Sequence, residues 1–318
     1  MKIGIDAMGG DFAPLNVVKG AIDAYNCLQQ NTKLVLFGDE ESIIKICNEN
    51  NFAANNFEII NTTEVIGMDD HPAKAFSQKS NSSITVGFEY LAKKQIDGIA
   101  SAGSTGAMMV GAVYTVKFIE GIMRPCISSN APLLNGGTAV IADVGLNVDC
   151  KPDNLLQYAL LGSIYAKEIL GYENPRIGLV NVGEEAEKGS LLTKAAYELM
   201  EADGRFNFIG NVEGHELFTG EKADVIICDG FTGNIILKQA ESNYRLAKKL
   251  NIQNDFFDRF NYELYGGTPV LGANAPIIIG HGASTPLAIK NMILQAESVI
   301  RVNLIDKIKK SLSIKKNG

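Results

Sequence analysis

Short apolar runs rich in β-branched residues recur along the chain and alternate with longer segments. Nine of these runs predict strands, at residues 2–8, 33–37, 57–60, 98–102, 138–143, 177–182, 206–209, 224–228 and 276–279. Most of the runs are too apolar for a strand with one face in water, which is typical of a parallel sheet covered on both faces.

The longer segments have apolar residues at the i, i+3 and i+4 spacing of a helix face. They lie at residues 82–96, 105–119, 154–170, 190–200, 234–250 and 285–308. Strands that alternate with helices predict an α/β fold of three layers, α/β/α, around a mostly parallel, doubly wound sheet. No linker, low-complexity stretch or internal repeat interrupts the alternation, so we expect a single domain over residues 1–318, in one lobe or two.

Composition narrows the class of partner. The 318 residues carry 29 Lys and Arg against 36 Asp and Glu, a formal net charge of −7. This charge argues against nucleic acid as the main partner, because phosphate backbones need clustered positive charge. No run of 18 apolar residues occurs, and the first residues do not have the shape of a signal peptide, so we expect a cytoplasmic protein. Five singly scattered cysteines, and three histidines without metal-ligand spacing, predict neither disulfides nor a metal site.

Turns rich in Gly, Ser, Thr, Asn and Asp follow six of the predicted strands, and most of them lead into a helix. They lie at residues 6–11, 101–106, 143–147, 181–190, 229–234 and 280–285. In a parallel sheet these turns share the carboxyl edge, where open α/β sheets bind ligands, and glycines and helix N-termini there favour an anion. Ordinary turn chemistry explains any one of them equally well, whereas six together favour a site. The chain has neither a Walker A nor a G-x-G-x-x-G pattern, which argues against a nucleotide, and we expect no cofactor.

Two residues in these turns have side chains suited to phosphate chemistry. Lys188 precedes Gly189 and the start of a predicted helix, where an ammonium and free N–H groups can hold an anion; an exposed lysine without a role is the alternative. Asn234 opens a predicted helix, where its side chain either caps the helix or donates to a developing oxyanion. The cap is the more conservative interpretation of Asn234.

His281 lies between two glycines at a strand end and has the most site-like surroundings of the three histidines. Ser284 or Thr285 is expected to cap the following helix, in which Pro286 is the first residue. The carboxylates at the strand ends either bind substrate or accept hydrogen bonds from turn N–H groups. The turn residues that we expect at a phosphate or substrate site are Asp6, Gly9, Gly10, Asp11, Ser101, Gly103, Ser104, Thr105, Gly106, Asp143, Asn147, Asn181, Gly183, Glu185, Asp229, Gly230, Gly233, His281 and Gly282.

Eight segments spread over nearly the whole chain carry a more specific signal. They are IDAMGGDFAP (5–14), SAGSTGA (101–107), DVGLNVDCKP (143–152), NVGEEAEKG (181–189), GNVEG (210–214), DVIICDGFTGNIILK (224–238), YGGTPVLG (265–272) and HGAST (281–285). In this order the segments resemble those of the PlsX family, the phosphate acyltransferases of bacterial phospholipid synthesis. The first and the sixth segments are nearly diagnostic of that family.

The resemblance implies a fold similar to those of isocitrate and isopropylmalate dehydrogenases and of phosphotransacetylases, usually in a homodimer. It implies a reaction in which a fatty acyl-acyl carrier protein and inorganic phosphate give an acyl phosphate and free carrier protein. It also puts Lys188 and Asn234 at the catalytic positions. The partners so implied are acyl carrier protein, inorganic phosphate and a second copy of the chain.

The sequence departs from the family pattern in four places. Ser104 stands where the family usually has Asn, and Leu146 where it usually has Ala. Residues 75–83 are less basic than the corresponding stretch of the family, which bears on docking of an acidic carrier protein. Residues 239–264 form a shorter and more polar interval than in many relatives, in which this interval is linked to membrane attachment.

Two features bear on membrane contact. The aromatic side chains of residues 239–264, which are Phe256, Phe257 and Phe260, either touch lipid or pack at a dimer contact. The C-terminal cluster of Lys307, Lys309, Lys310, Lys315 and Lys316 favours anionic lipid, although a solvated chain end is the more conservative interpretation. We therefore expect at most weak peripheral contact with a membrane.

Two other classes of function remain. A dehydrogenase of related fold needs a dinucleotide site and metal-binding carboxylates, and the sequence offers no such set. A non-enzymatic scaffold for a carrier protein or a membrane would keep its function without the side chains of Lys188 and Asn234.

Overall fold

The computed structural model describes residues 1–313, so Lys315 and Lys316 of the C-terminal lysine cluster lie outside the described residues. The chain folds into two compact units. Unit 1 comprises Met1–Ile119 and Glu263–Ile305, and unit 2 comprises Glu120–Tyr262 and the chain from Asp306 onward. That the whole chain acts as a single functional domain stays a prediction.

Strands and helices alternate along both units. The strands are β1 (Lys2–Asp6), β2 (Lys33–Gly38), β3 (Glu58–Asn61), β4 (Gly98–Ser101), β5 (Cys126–Pro132), β6 (Thr138–Ala142), β7 (Arg176–Val180), β8 (Asn207–Val212), β9 (Val225–Ile227), β10 (Gly267–Leu271) and β11 (Ile277–Gly280). The α-helices are α1 (Leu15–Tyr25), α2 (Glu40–Glu49), α3 (Pro72–Gln78), α4 (Ser83–Ala92), α5 (Thr105–Gly111), α6 (Pro152–Leu170), α7 (Leu191–Glu201), α8 (Gly230–Lys249), α9 (Asp255–Asp258), α10 (Pro286–Arg301) and α11 (Leu304–Ser313). A π-helical turn at Ala112–Val116 continues α5, and 3₁₀ turns cover Ala54–Asn56 and Tyr262–Leu264.

The sheet of unit 1 has the strand order β3-β2-β1-β4-β11-β10. The first five of these strands are parallel, and β10 runs antiparallel to β11. Residues such as Ile3, Ile5 and Phe37 are fully buried, because helices cover both sides of so apolar a sheet. The parallel strands therefore end at one carboxyl edge, at Asp6, Ser101 and Gly280.

The sheet of unit 2 has the strand order β5-β6-β9-β7-β8. Strands β6, β9, β7 and β8 are parallel, and β5 runs antiparallel to β6. The long helix α6 packs on this sheet and buries Tyr158 and Tyr165. Its first residue is Pro152, which has no N–H to leave unpaired, and Gly171 ends it in the left-handed conformation that glycine adopts without strain.

These sheets confirm the predicted α/β class, and all nine predicted strands are present with ends shifted by a few residues. The sequence analysis missed β5 and β10, the two antiparallel strands. Both contain polar residues or proline, in the sequences CISSNAP and GTPVL, so neither forms a continuous apolar run. An expectation built on parallel, fully buried strands does not detect such segments.

The structure changes the bounds of four predicted helices. The predicted helix 82–96 ends at Ala92, and the predicted helix 105–119 is α-helical to Gly111 and π-helical to Val116. Helix α8 begins at Gly230 rather than at Asn234. The predicted helix 285–308 is interrupted after Val302, because Asn303 adopts a positive φ of 51° that an α-helix cannot contain. Within residues 1–313, no helix is both long enough and apolar enough to cross a bilayer.

Candidate active site

Unit 2 collects a first group of polar residues at the carboxyl edge of its parallel strands. Asp143 follows β6, Asn181 follows β7 and Asp229 comes just after β9. Because β6, β9 and β7 are adjacent, the turns after them are neighbours at this edge. Lys188 belongs to the turn after β7, and Asn234 lies in the helix that follows the turn after β9.

Lys188 lies at the end of the turn between β7 and α7, and its side chain is exposed. Its aliphatic stem crosses the main chain of Gly183, since a Cβ atom at that glycine would lie 3.0 Å from Lys188 Cγ. Its ammonium has no hydrogen bond or ion pair with any residue in 1–313. The charge of Lys188 is therefore available to an anion.

The main chain of Lys188, by contrast, is held on both sides. Its N–H donates to the carbonyl of Glu185 at 3.0 Å, and its carbonyl accepts from Asn181 Nδ2 at 3.1 Å. Ser190 caps the following helix by accepting the N–H of Thr193 at 3.2 Å. The ammonium thus extends from a fixed base beside the N-terminus of α7, an arrangement that favours anions.

Residues that the sequence analysis did not single out also hold this turn. Asn211 on β8 donates from Nδ2 to the carbonyl of Glu185 at 2.9 Å. Lys222 pairs with Glu184 and, at 2.8 Å, with Glu216, and these hydrogen bonds raise the pKa of Lys222 to about 12. The segment GNVEG, which contains Asn211, was the available signal, but the sequence alone assigned it no role.

Asn234 lies in the second turn of α8, so the interpretation of Asn234 as a helix cap is wrong. Asp229 is the cap, because its carboxylate accepts the N–H of Thr232 at 2.9 Å and the Thr232 hydroxyl at 2.8 Å. The Asn234 side chain is exposed and makes no hydrogen bond within residues 1–313. It lies beside the turn after β6, with Oδ1 3.5 Å from the position of a Cβ atom at Gly145. Its amide is thus available to a ligand.

Asp143 organises the turn that lies beside Asn234. Its buried carboxylate accepts the N–H groups of Ile127 at 3.1 Å, Leu146 at 3.3 Å and Asn147 at 2.7 Å, together with the Asn147 amide at 3.0 Å. Burial raises the pKa of this carboxyl in spite of these donors. Protein donors therefore occupy the Asp143 carboxylate, and they fix the shape of the turn.

The same turn packs directly on the first residues of α8. The N–H of Gly230 donates to the carbonyl of Asn147 at 2.8 Å. A Cβ atom at Gly233 would lie only 1.9 Å from the carbonyl oxygen of Asp143, so no side chain fits there. Gly230 and Gly233 thus serve the close approach of main chain to main chain.

Unit 1 collects a second group at the carboxyl edge of its own sheet. The hydroxyl of Ser101 donates to Asp6 Oδ2 at 2.6 Å and accepts the N–H of Gly103 at 2.9 Å, which joins the turn after β1 to the turn after β4. The N–H of Met8 also donates to Asp6, at 3.1 Å. Burial raises the pKa of the Asp6 carboxyl, which is 1% exposed.

The turn after β11 joins this second group. The N–H of Asp11 donates to the carbonyl of Gly282 at 2.8 Å, and His281 Nδ1 accepts the N–H of Ala283 at 3.2 Å. Neutral His281 therefore carries its proton on Nε2. Thr285 rather than Ser284 caps α10. Ser104, at the departure from the family pattern, caps α5 by accepting the N–H of Ala107 at 3.3 Å.

The structure thus gathers the candidates into two groups, each within one unit. The group of unit 1 is Asp6, Gly9, Gly10, Asp11, Ser101, Gly103, Ser104, Thr105, Gly106, His281 and Gly282. The group of unit 2 is Asp143, Asn147, Asn181, Gly183, Glu185, Lys188, Asp229, Gly230, Gly233 and Asn234. That all of them contact one ligand stays a prediction. Among residues 1–313, no group of three or more His, Cys, Asp or Glu side chains is placed to hold a metal ion.

Comparison with known proteins identifies the family. The profile of a family described as "Fatty acid synthesis protein" matches residues 1–254. A phosphate acyltransferase from Dictyoglomus turgidum is 41% identical over 332 aligned positions that cover 98% of each chain. The chain belongs to the phosphate acyltransferase family. Another such enzyme, from Endomicrobium trichonymphae, is 42% identical over 337 positions and again 98% of both chains.

Solved structures outside the phosphate acyltransferase family share its fold. A phosphotransacetylase from Streptococcus pyogenes superposes with a TM-score of 0.66 at 17% identity, covering 95% of this chain and 94% of the other. A 4-hydroxythreonine-4-phosphate dehydrogenase from Klebsiella pneumoniae superposes with a TM-score of 0.56 at 12% identity, covering 94% of this chain and 97% of the other. The expected likeness to phosphotransacetylases and to a dehydrogenase fold is confirmed at the level of the fold.

Proposed function

We propose that the protein is an acyltransferase that moves the acyl group of a fatty acyl-acyl carrier protein to inorganic phosphate, giving acyl phosphate and free carrier protein for phospholipid synthesis. One observation carries the proposal beyond family membership. An ammonium, Lys188, and an amide, Asn234, both lack a protein partner within residues 1–313 and follow adjacent parallel strands at the carboxyl edge of unit 2. The first is suited to a phosphate and the second to an oxyanion.

Phosphate is the nucleophile. At neutral pH inorganic phosphate is divided between its monoanion and its dianion, and both carry unprotonated oxygens, so it needs orientation more than deprotonation. The Lys188 ammonium and the N-terminus of α7 provide positive charge on one side of this anion. The main-chain contacts of Lys188 fix the point from which its side chain extends, so less main-chain freedom is lost when phosphate binds.

The reaction exchanges one bond for another at the thioester carbon. A phosphate oxygen attacks that carbon, the carbonyl electrons move onto oxygen, and the C–S bond breaks as they return. Asn234 Nδ2 donates to the transient oxyanion, a contribution typically of about 3–4 kcal/mol per donor. The leaving thiolate has a conjugate acid of pKa about 8.5, so it departs without a strong general acid. Through water it takes up the proton that the phosphate group loses on becoming the acyl phosphate.

The buried carboxylates have a different role in this proposal. Asp143 is saturated by donors from its own turn, and Asp6 is buried against Ser101. Both would repel a phosphate dianion at close range. We therefore assign both carboxylates to the shaping of their turns.

An apolar surface for the acyl chain lies next to Asn234. Phe231 and Ile235 are one turn apart on α8, and both are exposed, as is Val148 in the neighbouring turn. Large apolar side chains that stay exposed beside a polar site are suited to an apolar part of the substrate. We expect them to contact the first carbons of the chain.

Assembly and location complete the proposal. We propose a cytoplasmic homodimer with weak peripheral membrane contact at most. Phe260 is buried and packs on Phe218 within unit 2, with 5.3 Å between ring centroids, and Phe256 packs on Phe260 at 5.1 Å. These contacts occupy aromatic side chains that the sequence analysis had assigned to lipid or to a dimer contact. Light scattering tests the dimer, and flotation with anionic vesicles tests membrane contact.

The decisive experiment measures thiol release. Purified protein is mixed with palmitoyl-carrier protein with and without phosphate, free thiol is followed with a chromogenic disulfide, and acyl phosphate is trapped with hydroxylamine. We expect release that depends on phosphate and a matching amount of hydroxamate. N234A should lose most of this activity, whereas Q239A, which removes an exposed amide from the same helix, should keep it. Release at equal rates without phosphate would overturn the proposal.

A further inference from the structure

Asn211 is a buried polar residue that the reaction as described does not use. It is the next-to-last residue of β8, and 3% of its surface is exposed. It belongs to the segment GNVEG, for which neither the turn analysis nor the reaction gave a role. A buried amide needs hydrogen bonds, so its partners indicate what it does.

An irregularity in β8 determines where Asn211 lies. Ile177 of β7 pairs with Phe208, but Leu179 pairs with Asn211, so β8 has one residue more than β7 between the two pairs. Gly210 provides the extra residue and adopts a φ of 91°. In an unbroken ladder Gly210 would face Leu179, so the bulge brings the Asn211 side chain into this register position instead.

The Asn211 amide is directed at the Lys188 turn. Its Nδ2 donates to the carbonyl of Glu185 at 2.9 Å and to that of Glu184 at 3.5 Å. Its Oδ1 is buried and has no hydrogen-bond partner within residues 1–313. An unpaired buried acceptor costs free energy, so stability alone does not favour an asparagine here. What an asparagine adds at this position is the pair of hydrogen bonds from Nδ2 to the carbonyls of Glu184 and Glu185.

The carbonyl of Glu185 links Asn211 to Lys188. This oxygen also accepts the main-chain N–H of Lys188, at 3.0 Å. Asn181 donates to the Lys188 carbonyl from the other side, so the two asparagines together fix both main-chain groups of Lys188. A change at Asn211 would therefore reach the ammonium through a single shared oxygen.

We propose that Asn211 is a positioning residue, which holds the Lys188 turn in the conformation that binds phosphate. This inference rests on the proposed function, because it takes Lys188 as the phosphate ligand. It does not give Asn211 a contact with substrate. Loss of its donors should weaken the use of phosphate and leave the use of the acyl donor unchanged.

The test compares the full-length variants N211L and N211A with the wild type. Leucine has the shape of asparagine without its donors, and it also removes the unpaired acceptor, so N211L should fold with an unchanged or higher midpoint in urea. We expect kcat/KM for phosphate to fall about tenfold or more in both variants, because small displacements of a binding group have large kinetic effects. The KM for acyl-carrier protein should stay constant.

A double-mutant cycle shows whether Asn211 acts through Lys188. In the K188A background, N211L should cause no further loss, since the group that it positions is gone. N274A is the matched control, because Asn274 also donates from Nδ2 to a main-chain carbonyl, that of Phe118 at 2.6 Å, but in unit 1. It should show normal phosphate kinetics.

Hydrogen exchange separates this inference from the proposed function. The peptide that spans residues 183–189 should exchange faster in N211L than in the wild type, with or without any turnover. If the wild type shows no phosphate-dependent thiol release but N211L still exchanges faster, the proposed function is overturned and the structural role of Asn211 is not. Unchanged exchange, or N211L with wild-type phosphate kinetics, or an equal loss in the K188A background, overturns the role of Asn211.

Discussion

Lys188 and Asn234 differ from Asp143, Asn181 and Asp229 because their side chains have no protein partner within residues 1–313. Asp143, Asn181 and Asp229 all accept or donate hydrogen bonds that fix a turn or start a helix. An exposed side chain without a protein partner is free to hydrogen-bond to a ligand. This difference separates the two proposed catalytic groups from their supports.

Removal of the Lys188 ammonium should mainly affect phosphate. We expect K188A to lower kcat/KM for phosphate by about a hundredfold or more, as for loss of an orienting group, with the melting temperature within about 2 °C of the wild type because the side chain is exposed. Steady-state kinetics at varied phosphate measures the first, and thermal unfolding the second. K194A is the matched control, since it removes another exposed lysine beside the start of α7. Equal kinetic losses in both variants would contradict a specific role of Lys188.

The buried Asp6 carboxyl should make stability depend on pH. Burial raises its pKa above the ordinary value, so the folded state binds this proton more tightly than the unfolded state. Asp6 therefore contributes more stability as the pH falls through the folded pKa toward the unfolded value of about 3.9. We expect the difference in unfolding free energy between wild type and D6N to grow in favour of the wild type between pH ~7 and ~4, as measured by urea unfolding.

Asp39 provides the control of opposite sign. Hydrogen bonds from Ser42 lower the pKa of its carboxyl, so its contribution to stability is lost as the pH falls through the folded pKa. The difference between wild type and D39N should therefore stay level between pH ~7 and ~4 and shrink only below about pH 3.9, while that for D6N already grows in the higher range. A D6N difference that stays level or shrinks between pH ~7 and ~4 would show that the Asp6 pKa is not raised.

At the scale of elements, the position of Asn234 depends on how α8 begins. Asp229 caps the helix, and the cap places Asn234 in the second turn beside the turn of Asp143. D229A should lower the free energy of unfolding by about 1 kcal/mol, as for loss of other N-caps, and should also reduce turnover because the first turn of α8 frays. D229N should keep both, since asparagine caps as well as aspartate. Urea unfolding and the thiol-release assay measure the two effects.

The same element shows the limit of prediction from sequence. Apolar spacing placed the helix start at Asn234, because Gly230 and Gly233 are poor helix formers and interrupt the pattern. In the structure both glycines are helical, and a glycine is needed at 233 because the neighbouring turn leaves no room for a side chain. Tertiary contact of this kind overrides local propensity, and no periodicity in the sequence reveals it.

The prediction of strands from the sequence had a similar limit. Runs that are buried on both faces, such as Ile3–Ile5 within β1, were predicted because every residue is apolar or small. Strand β5 contains Ser128 and Ser129, which are buried in the structure but interrupt the apolar run in the sequence, so the strand was missed. The order of strands at the carboxyl edge, which brings the turns after β6, β9 and β7 together, also came only from the structure.

At the scale of the whole molecule, the distribution of charge predicts how strongly the carrier protein is attracted before it docks. The net charge is −7, and in residues 75–83 the one lysine, Lys79, is already paired with Asp70 at 2.6 Å. Nearby Lys74 is exposed and has no ion pair within residues 1–313. An acidic carrier protein would therefore gain little long-range attraction from this region, and the two net negative charges would repel each other.

This charge balance makes a prediction about salt. A docking surface with several free lysines or arginines loses affinity steeply between about 0.02 and 0.2 M salt, because ions screen the attraction. We expect the KM of this protein for acyl-carrier protein to stay level or to fall over that range, as screening removes a net repulsion. The triple change Q78K, S80K and N81K adds positive charge to the same region, and it should lower the KM at low salt and introduce the steep dependence. A KM of the wild type that rises steeply with salt would show that its carrier protein docks on a basic surface elsewhere.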